Sequence, residues 1–368
     1  MKAKAPRNAP KKMTYAETGV DRRLRAKSKT ELNILSNTYK FSRYGSVVKL
    51  PYGNVFPTGG DMYLDLTIEG VGTKVLVAQL ADKYDTIGID GVAMAVNDVI
   101  RSGARPLAIA DNIHAHVSNP TLIKEWMKGI VKGAGQAECV VAGGEIGDVP
   151  ELIKGLVDGK GFDMVFASVG EVHRENIVFA NNLEPGDAII GLRSSGIHSN
   201  GISLARRVLF RQWGGRYEPF DTPEGLSREL IYEVLEPTRI YAKAIGNLVN
   251  KKLAKAAIHV TGDAYLKFGK LSQFNKNAGF EFDNFTPQPI FSIIQEASAA
   301  QGAGISDDEM FKTFNMGWGF AVIVSDAVKD EAVDSLEKKG VQAEQIGRVT
   351  ASGNIVIKYR HKKIQLHS

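Results

Sequence analysis

The chain predicts a mixed α/β (α+β) protein of two domains. Apolar stretches with strand period alternate with stretches of helix period from Met62 onward. A run rich in Asn, Pro and Gly at 181–187 interrupts that alternation near mid-chain. With 368 residues, 43% hydrophobic and 24% charged, the chain holds core-forming material for more than one small domain.

Taken in order, residues 62–69 alternate apolar Met62, Leu64, Leu66 and Ile68 with Tyr63, Asp65, Thr67 and Glu69, which predicts a strand with both carboxylates on one face. A helix over 87–101, a strand over 107–113, a helix over 122–137 and strands over 139–142 and 164–172 follow. The boundary falls between 176 and 185, giving an N-terminal domain of 14–176 and a C-terminal domain of 177–368. The second half opens on an apolar strand ending near Leu192. Helices are expected over 202–209, 227–235, 237–249 and 328–339, with strands over 280–285, 319–324 and 354–358. No short-period repeat is visible.

The charge is unevenly spread. Residues 1–30 carry ten Lys or Arg against Glu17 and Asp21, a local +8 in a chain of +5, which leaves the remainder at −3. The folded body is therefore not basic, and no interleaved aromatic and basic pattern argues for nucleic acid. Residues 1–13 read as a disordered basic arm. No apolar run reaches membrane-span length and the N-terminus lacks a secretory apolar region, so a cytoplasmic location without membrane attachment is expected. The single cysteine, Cys139, excludes an intrachain disulfide, and its apolar setting predicts buried packing.

Three stretches carry candidate chemistry. In 186–201 an apolar strand enters a loop holding Ser194, Ser195, Gly196, His198, Ser199 and Asn200, then a helix. Such a loop offers hydroxyl, amide and backbone donors and a helix N-terminus to an anion, or merely caps the helix. In 85–106, Asp90 and Asn97 lie two helical turns apart on one face with Asp98 beside them. These hard oxygens suit Mg²⁺ shared with nucleotide phosphates, or form an N-cap and a solvated edge. The third stretch is Gly143-Gly144-Glu145, where an apolar strand delivers a carboxylate into an expected glycine turn. His114 and His116 alone make a weak metal pair.

These residues resemble the AIR synthetase family. Ser194 to Gly201 is similar to its SSG-x-HSNG segment, Glu69-Gly70-Val71-Gly72-Thr73-Lys74 to its DGVGTK, and 85–106 to its DTIGID…VND…GAxP stretch. Gly143-Gly144-Glu145 is similar to its GGET, 237–241 to its PTRIY, and 313–319 to its TFNxGxG. The likeness runs from about Tyr15 to Val349. It implies two α/β domains per subunit and a homodimer joined through the N-terminal sheets. The implied reaction is ATP-dependent closure of formylglycinamidine ribonucleotide to aminoimidazole ribonucleotide, with ADP and phosphate released, in purine biosynthesis. Carried over by position, Glu69, Gly72, Thr73, Lys74, Asp90, Asn97, Asp98, Gly143, Gly144 and Glu145 would bind ATP. Glu69, Asp90, Asp98 and Glu145 would hold magnesium. The loop Ser194 to Asn200 would take the nucleotide substrate's phosphate, and His198, His259 and Lys74 would be catalytic. Glu69 stands where the family has Asp, and Gly262-Asp263-Ala264-Tyr265 where it has three glycines and an aromatic. These departures keep two alternatives open: a related ATP enzyme with another acceptor, or a non-catalytic nucleotide-binding scaffold.

Overall fold

The computed structural model describes residues 13–367, so the basic arm lies almost wholly outside the described residues. Two sheets organise it. The first has six strands in the order β1-β2-β3-β6-β4-β5. These are β1 (Val48–Leu50), β2 (Gly53–Gly59), β3 (Met62–Gly70), β4 (Arg105–Ala115), β5 (Val140–Asp148) and β6 (Phe162–His173). All neighbours are antiparallel except β4 and β5. The helices of this half are α1 (Arg22–Thr30), α2 (Lys74–Ala81), α3 (Ile87–Val99) and α4 (Pro120–Ala137).

The second sheet has seven strands in the order β13-β12-β9-β11-β7-β10-β8. They are β7 (Ala188–Arg193), β8 (Ala256–His259), β9 (Gly279–Phe282), β10 (Trp318–Val324), β11 (Ala343–Thr350), β12 (Ile355–Tyr359) and β13 (Lys362–Leu366). Its helices are α5 (Ile202–Leu209), α6 (Leu230–Val234), α7 (Ala242–Asn250), α8 (Pro289–Ala300), α9 (Asp307–Thr313) and α10 (Lys329–Glu337). No helix among the described residues is long and apolar enough to cross a membrane.

Every residue of α3 is buried, as expected for a helix that is apolar nearly all round. It lies on β3, β4 and β6 and against α4. Glycines permit the close approach: a Cβ on Gly88 would fall 2.4 Å from the Ile130 nitrogen, and one on Gly129 2.4 Å from the Asp85 carbonyl. Helix α4 begins where Asn119 accepts from the amides of Thr121 and Leu122, with Pro120 in the first turn.

Three expectations are corrected. Gly143, Gly144 and Glu145 do not form a turn, because the strand continues to Asp148 by pairing in parallel with β4. A register shift places the extra residue, Ala142, in a bulge between Val141 and Gly143. Cys139 is only half-buried, since the strand after it is an edge strand with most of its surface exposed. Residues 237–241 form a loop, and helix α7 starts at Ala242. Strand β3 keeps its polar residues on one face, and that face turns inward: Asp65 is buried and the Thr67 hydroxyl donates to Ala95 O at 2.9 Å, while Leu66 and Ile68 are 61% and 69% exposed.

Candidate active site

A cluster of charged side chains, the candidate site, gathers where the end of β3, the last turn of α3, the end of β8 and the 3₁₀ segment Ala264–Gln273 meet. Asp98 is their hub. One of its carboxylate oxygens lies 2.8 Å from His259 Nδ1 and the other 2.8 Å from the Arg101 guanidinium. Lys267 donates to His259 O at 3.1 Å and to the Thr261 hydroxyl. Burial opposes charge on Asp98, but Arg101, the His259 hydrogen bond and Lys267 together hold its carboxyl well below the usual range.

The neighbouring groups shift the other way. Burial, then the charge of Asp98 and a hydrogen bond with it, push Glu69 up to about 7. Burial likewise raises Asp65 to about 6. Lys267 is pushed down to about 8 by burial, against the pull of Asp98. Burial outweighs Asp98 at His259 and brings it down to about 4, so His259 is neutral near pH 7 and donates through Nδ1. Its Nε2 is buried without a hydrogen-bond partner. The cluster therefore joins Asp98, kept anionic, to Glu69, which holds a proton near neutrality, with two cations alongside. Opposed shifts of this kind mark candidate functional sites.

Several expected site residues instead lock the two halves together. Lys74 Nζ lies 2.9 Å from both oxygens of Asp90 and donates to Glu236 O at 2.6 Å, with both side chains fully buried. Asp90 Oδ1 also accepts from Ser199 Oγ and from the amide and hydroxyl of Thr238. Asn97 donates to Arg239 O at 2.8 Å and accepts from the Tyr241 amide at 3.0 Å. Asp90 and Asn97 share one face of α3, as their spacing predicts, and that face clamps the 237–241 loop. Lys74 is thus an internal counter-ion in this arrangement and does not project toward a ligand.

The hydroxyls of Ser194, Ser195 and Ser199 in the 194–200 loop are likewise satisfied internally. Ser194 Oγ donates to Asn315 Oδ1, and Ser195 Oγ to Pro237 O at 2.5 Å. Asn315 Nδ2 donates to the carbonyls of Gly196 and Ile197. Asn200 makes only a long contact with Met94 sulfur. His198 is buried in the left-handed region at φ 66°, and its Nε2 accepts from the Ser195 and Arg239 amides. Burial, aided by the charges of Lys74 and Arg239, holds it well below the ordinary histidine value. It is a neutral, loop-organising residue in this arrangement, with Nδ1 buried and without a hydrogen-bond partner among the described residues.

Gly72 and Thr73 lie in the turn before α2, with Thr73 Oγ1 2.9 Å from Ser203 Oγ. Gly143, Gly144 and Glu145 sit on the exposed edge strand, away from the cluster. The four expected metal ligands are therefore not assembled: among the described residues no three His, Cys, Asp or Glu side chains could together hold a metal. Magnesium shared with phosphates needs only one or two carboxylates, and the Glu69–Asp98 pair, where two acids compete for one proton, fits that smaller demand. Asp90, neutralised by Lys74, does not. Lys267 and Arg101 were missed in the sequence. Lys267 follows His259 by eight residues with no recognisable spacing, and Arg101 reads as the ordinary end of a helix.

Asp263, the departure from three glycines, adopts φ 68° and lies 3.5 Å from Arg22 Nε. Arg22 also binds Glu309 at 2.8 Å, the Lys312 carbonyl and the Thr313 hydroxyl. The added carboxylate therefore anchors the segment entering α1.

Comparison with known proteins completes the assignment. The N-terminal domain of AIR synthase related protein matches residues 52–172, and its C-terminal domain matches residues 184–360. The chain belongs to the AIR synthase related family. It is 36% identical over 354 residues to the phosphoribosylformylglycinamidine cyclo-ligase of Methanothermobacter thermautotrophicus, covering 94% of this chain and 96% of that protein. To the enzyme of the same name from Pyrococcus furiosus it is 35% identical, covering 94% and 97%. Similar solved structures include a HypE–HypF complex, with TM-score 0.58, 17% identity and coverage of 85% of this chain and 92% of that one. T. maritima PurL complexed with ATP gives TM-score 0.54 at 15% identity, covering 87% of this chain and 44% of that one. At these identities the structural likeness establishes the family's fold.

Proposed function

We propose that the protein is a phosphoribosylformylglycinamidine cyclo-ligase that closes formylglycinamidine ribonucleotide to aminoimidazole ribonucleotide with ATP, yielding ADP and phosphate. The observation that carries this reading is the near-full-length identity to cyclo-ligases, joined to the acid–cation cluster at Glu69, Asp98, Arg101 and Lys267. The N-terminal half, 14–176, would carry the nucleotide and 177–368 would carry most contacts to the substrate.

An amide oxygen leaves poorly. In the proposed reaction the formyl oxygen attacks the ATP γ-phosphorus, the bond to the ADP oxygen breaks, and the substrate's nitrogen then attacks the formyl carbon as phosphate departs. Catalysis of this kind is positioning plus neutralisation of phosphoryl charge. Glu69 and Asp98 would hold magnesium, which when bound offsets triphosphate charge. Lys267 and Arg101 supply fixed positive charge beside them. Glu69 exchanges a proton near neutral pH, and His259 keeps Asp98 oriented through Nδ1.

A homodimer through the N-terminal sheet is part of this reading. Its outer face presents Leu66, Ile68 and Val140, from 61% to 69% exposed, an apolar patch of the kind that a partner covers. A second copy seated there would also cover the edge strand bearing Gly143, Gly144 and Glu145. A cytoplasmic location accords with this metabolic role.

The test is to mix purified protein with Mg-ATP and formylglycinamidine ribonucleotide and follow ADP together with the aminoimidazole product. Coupled formation of both supports the cyclo-ligase. ADP without that product favours another acceptor, and neither favours the non-catalytic scaffold.

A further inference from the structure

The hairpin turn between β1 and β2 reaches into the acid–cation cluster. Leu50 pairs with Gly53, so Pro51 and Tyr52 alone make the turn, and the proline ring fixes its own φ. Strand β2 lies along β3 with Val55 opposite Asp65, which sets the turn beside the inward face of β3. Pro51 and Tyr52 line a small cavity there, whose other walls include Asp65, Asp98, Arg101 and Ser102.

Tyr52 meets Arg101 in two ways. The guanidinium carbon lies 5.3 Å from the centre of the tyrosine ring, and Arg101 Nη2 donates to Tyr52 O at 3.4 Å. Lys270 Nζ lies farther from the same ring, at 5.7 Å. A further contact goes to the other half of the chain: the phenol donates to Lys267 O at 3.0 Å. Burial, against the charge of Arg101, holds that phenol above the ordinary tyrosine value, so it stays a donor around neutral pH.

Asp98 grips the guanidinium along its edge, with its carboxylate 2.8 Å from Nη2 and its carbonyl accepting from Nε at 2.9 Å. The ring of Tyr52 supports the same group from an aromatic face, an attraction that strengthens as the cation loses water. Arg101 is thus held by α3 and by the hairpin together, while the 3₁₀ segment carrying Lys267 is tied to that hairpin by the phenol.

We propose that Tyr52 is a positioning residue of the active site: its ring fixes Arg101, its hydroxyl fixes the segment bearing Lys267, and it thereby sets the spacing of the two cations. Charge neutralisation of a transferring phosphoryl group depends on donors held in place before reaction, so that spacing matters to turnover. The proposal rests on the reading of this cluster as the Mg-ATP site.

A mutant cycle on the full-length protein tests it, read both as kcat/KM for ATP in the coupled assay and as Mg-ATP affinity by calorimetry. Tyr52→Leu should lower both by about ten-fold, and Tyr52→Phe, which keeps the ring, should recover all but about three-fold of that loss. In an Arg101→Gln background the difference between Tyr52→Phe and Tyr52→Leu should shrink to about two-fold or less, because the ring has lost the cation it orients. Tyr52→Met is made in parallel, and circular dichroism checks each variant, so one poorly folding substitution does not decide the result. A Tyr52→Leu variant within about two-fold of wild type overturns the proposal, as does a Phe-to-Leu difference that keeps its full size without Arg101. Mg-ATP binding by the wild type without aminoimidazole product overturns the cyclo-ligase reading, and the same comparison in affinity then decides the role of Tyr52. Absence of Mg-ATP binding in the wild type overturns both.

Discussion

Glu69 holds its proton to near neutral pH because it is half-buried and faces the charge of Asp98. An unfolded glutamate titrates near 4.5 and this one at about 7, so the folded state keeps the proton longer. Its contribution to stability is present below about pH 4.5 and is lost as pH rises through 7. Glu69→Gln should remove that loss. The drop in unfolding free energy between about pH 5 and pH 8, measured in urea, should shrink by up to about 3 kcal/mol. An unchanged slope would mean that Glu69 does not titrate in this window. His259 acts in the opposite sense: its proton affinity falls from 6.5 to about 4 on folding, so its contribution is lost as pH falls through that interval. Asp98→Asn removes the anion that Arg101 and Lys267 share. Mg-ATP affinity should fall at least about ten-fold, and equal nucleotide affinity would exclude Asp98 as a ligand.

Helix α3 does two jobs at the scale of an element: one side packs on α4 through glycines, and another clamps the 237–241 loop through Asp90 and Asn97. Gly88→Ala would press a methyl into the backbone of α4, where a Cβ meets the Trp126 carbonyl at 2.6 Å. It should destabilise by about 2–4 kcal/mol in chemical denaturation. Gly135, on the exposed side of α4 with nothing near its Cβ position, is the control. Gly135→Ala should stabilise by about 0.5–1 kcal/mol, since alanine loses less backbone freedom in a helix. The apolar run and acid spacing make α3 legible in the sequence. Which of its acids would be spoken for by the other half of the chain was not, because Lys74, Ser199 and Thr238 converge on Asp90 from segments up to 148 residues away.

The whole molecule leaves an apolar sheet face in water, and its expected state is a homodimer. Ile68→Glu should convert a particle of twice the 40.0 kDa chain mass into a monomer in analytical ultracentrifugation. A wild-type protein that is already monomeric at assay concentrations would remove the dimer from the proposed function. The alternation along β3 was readable, but which side faces inward was not. A period of two is the same for either face, and here α3 and the acid cluster draw the polar side inward.

By itself the sequence determined the α/β class, the strand β3, the helices α3 and α4, and the motif order that marks the family. These follow from local periodicity, from glycine, proline and cap residues, and from side-chain chemistry at fixed spacing. Tertiary structure decided the rest. It split the expected ATP-site residues into an acid cluster at Glu69 and Asp98 and a buried clamp at Lys74, Asp90 and Asn97. It also recruited Lys267 and Arg101, whose roles have no local signature. The physical reason is that charge and burial are properties of everything within several ångströms, and a carboxylate becomes a ligand, a proton carrier or a counter-ion only when its neighbours from distant segments are in place.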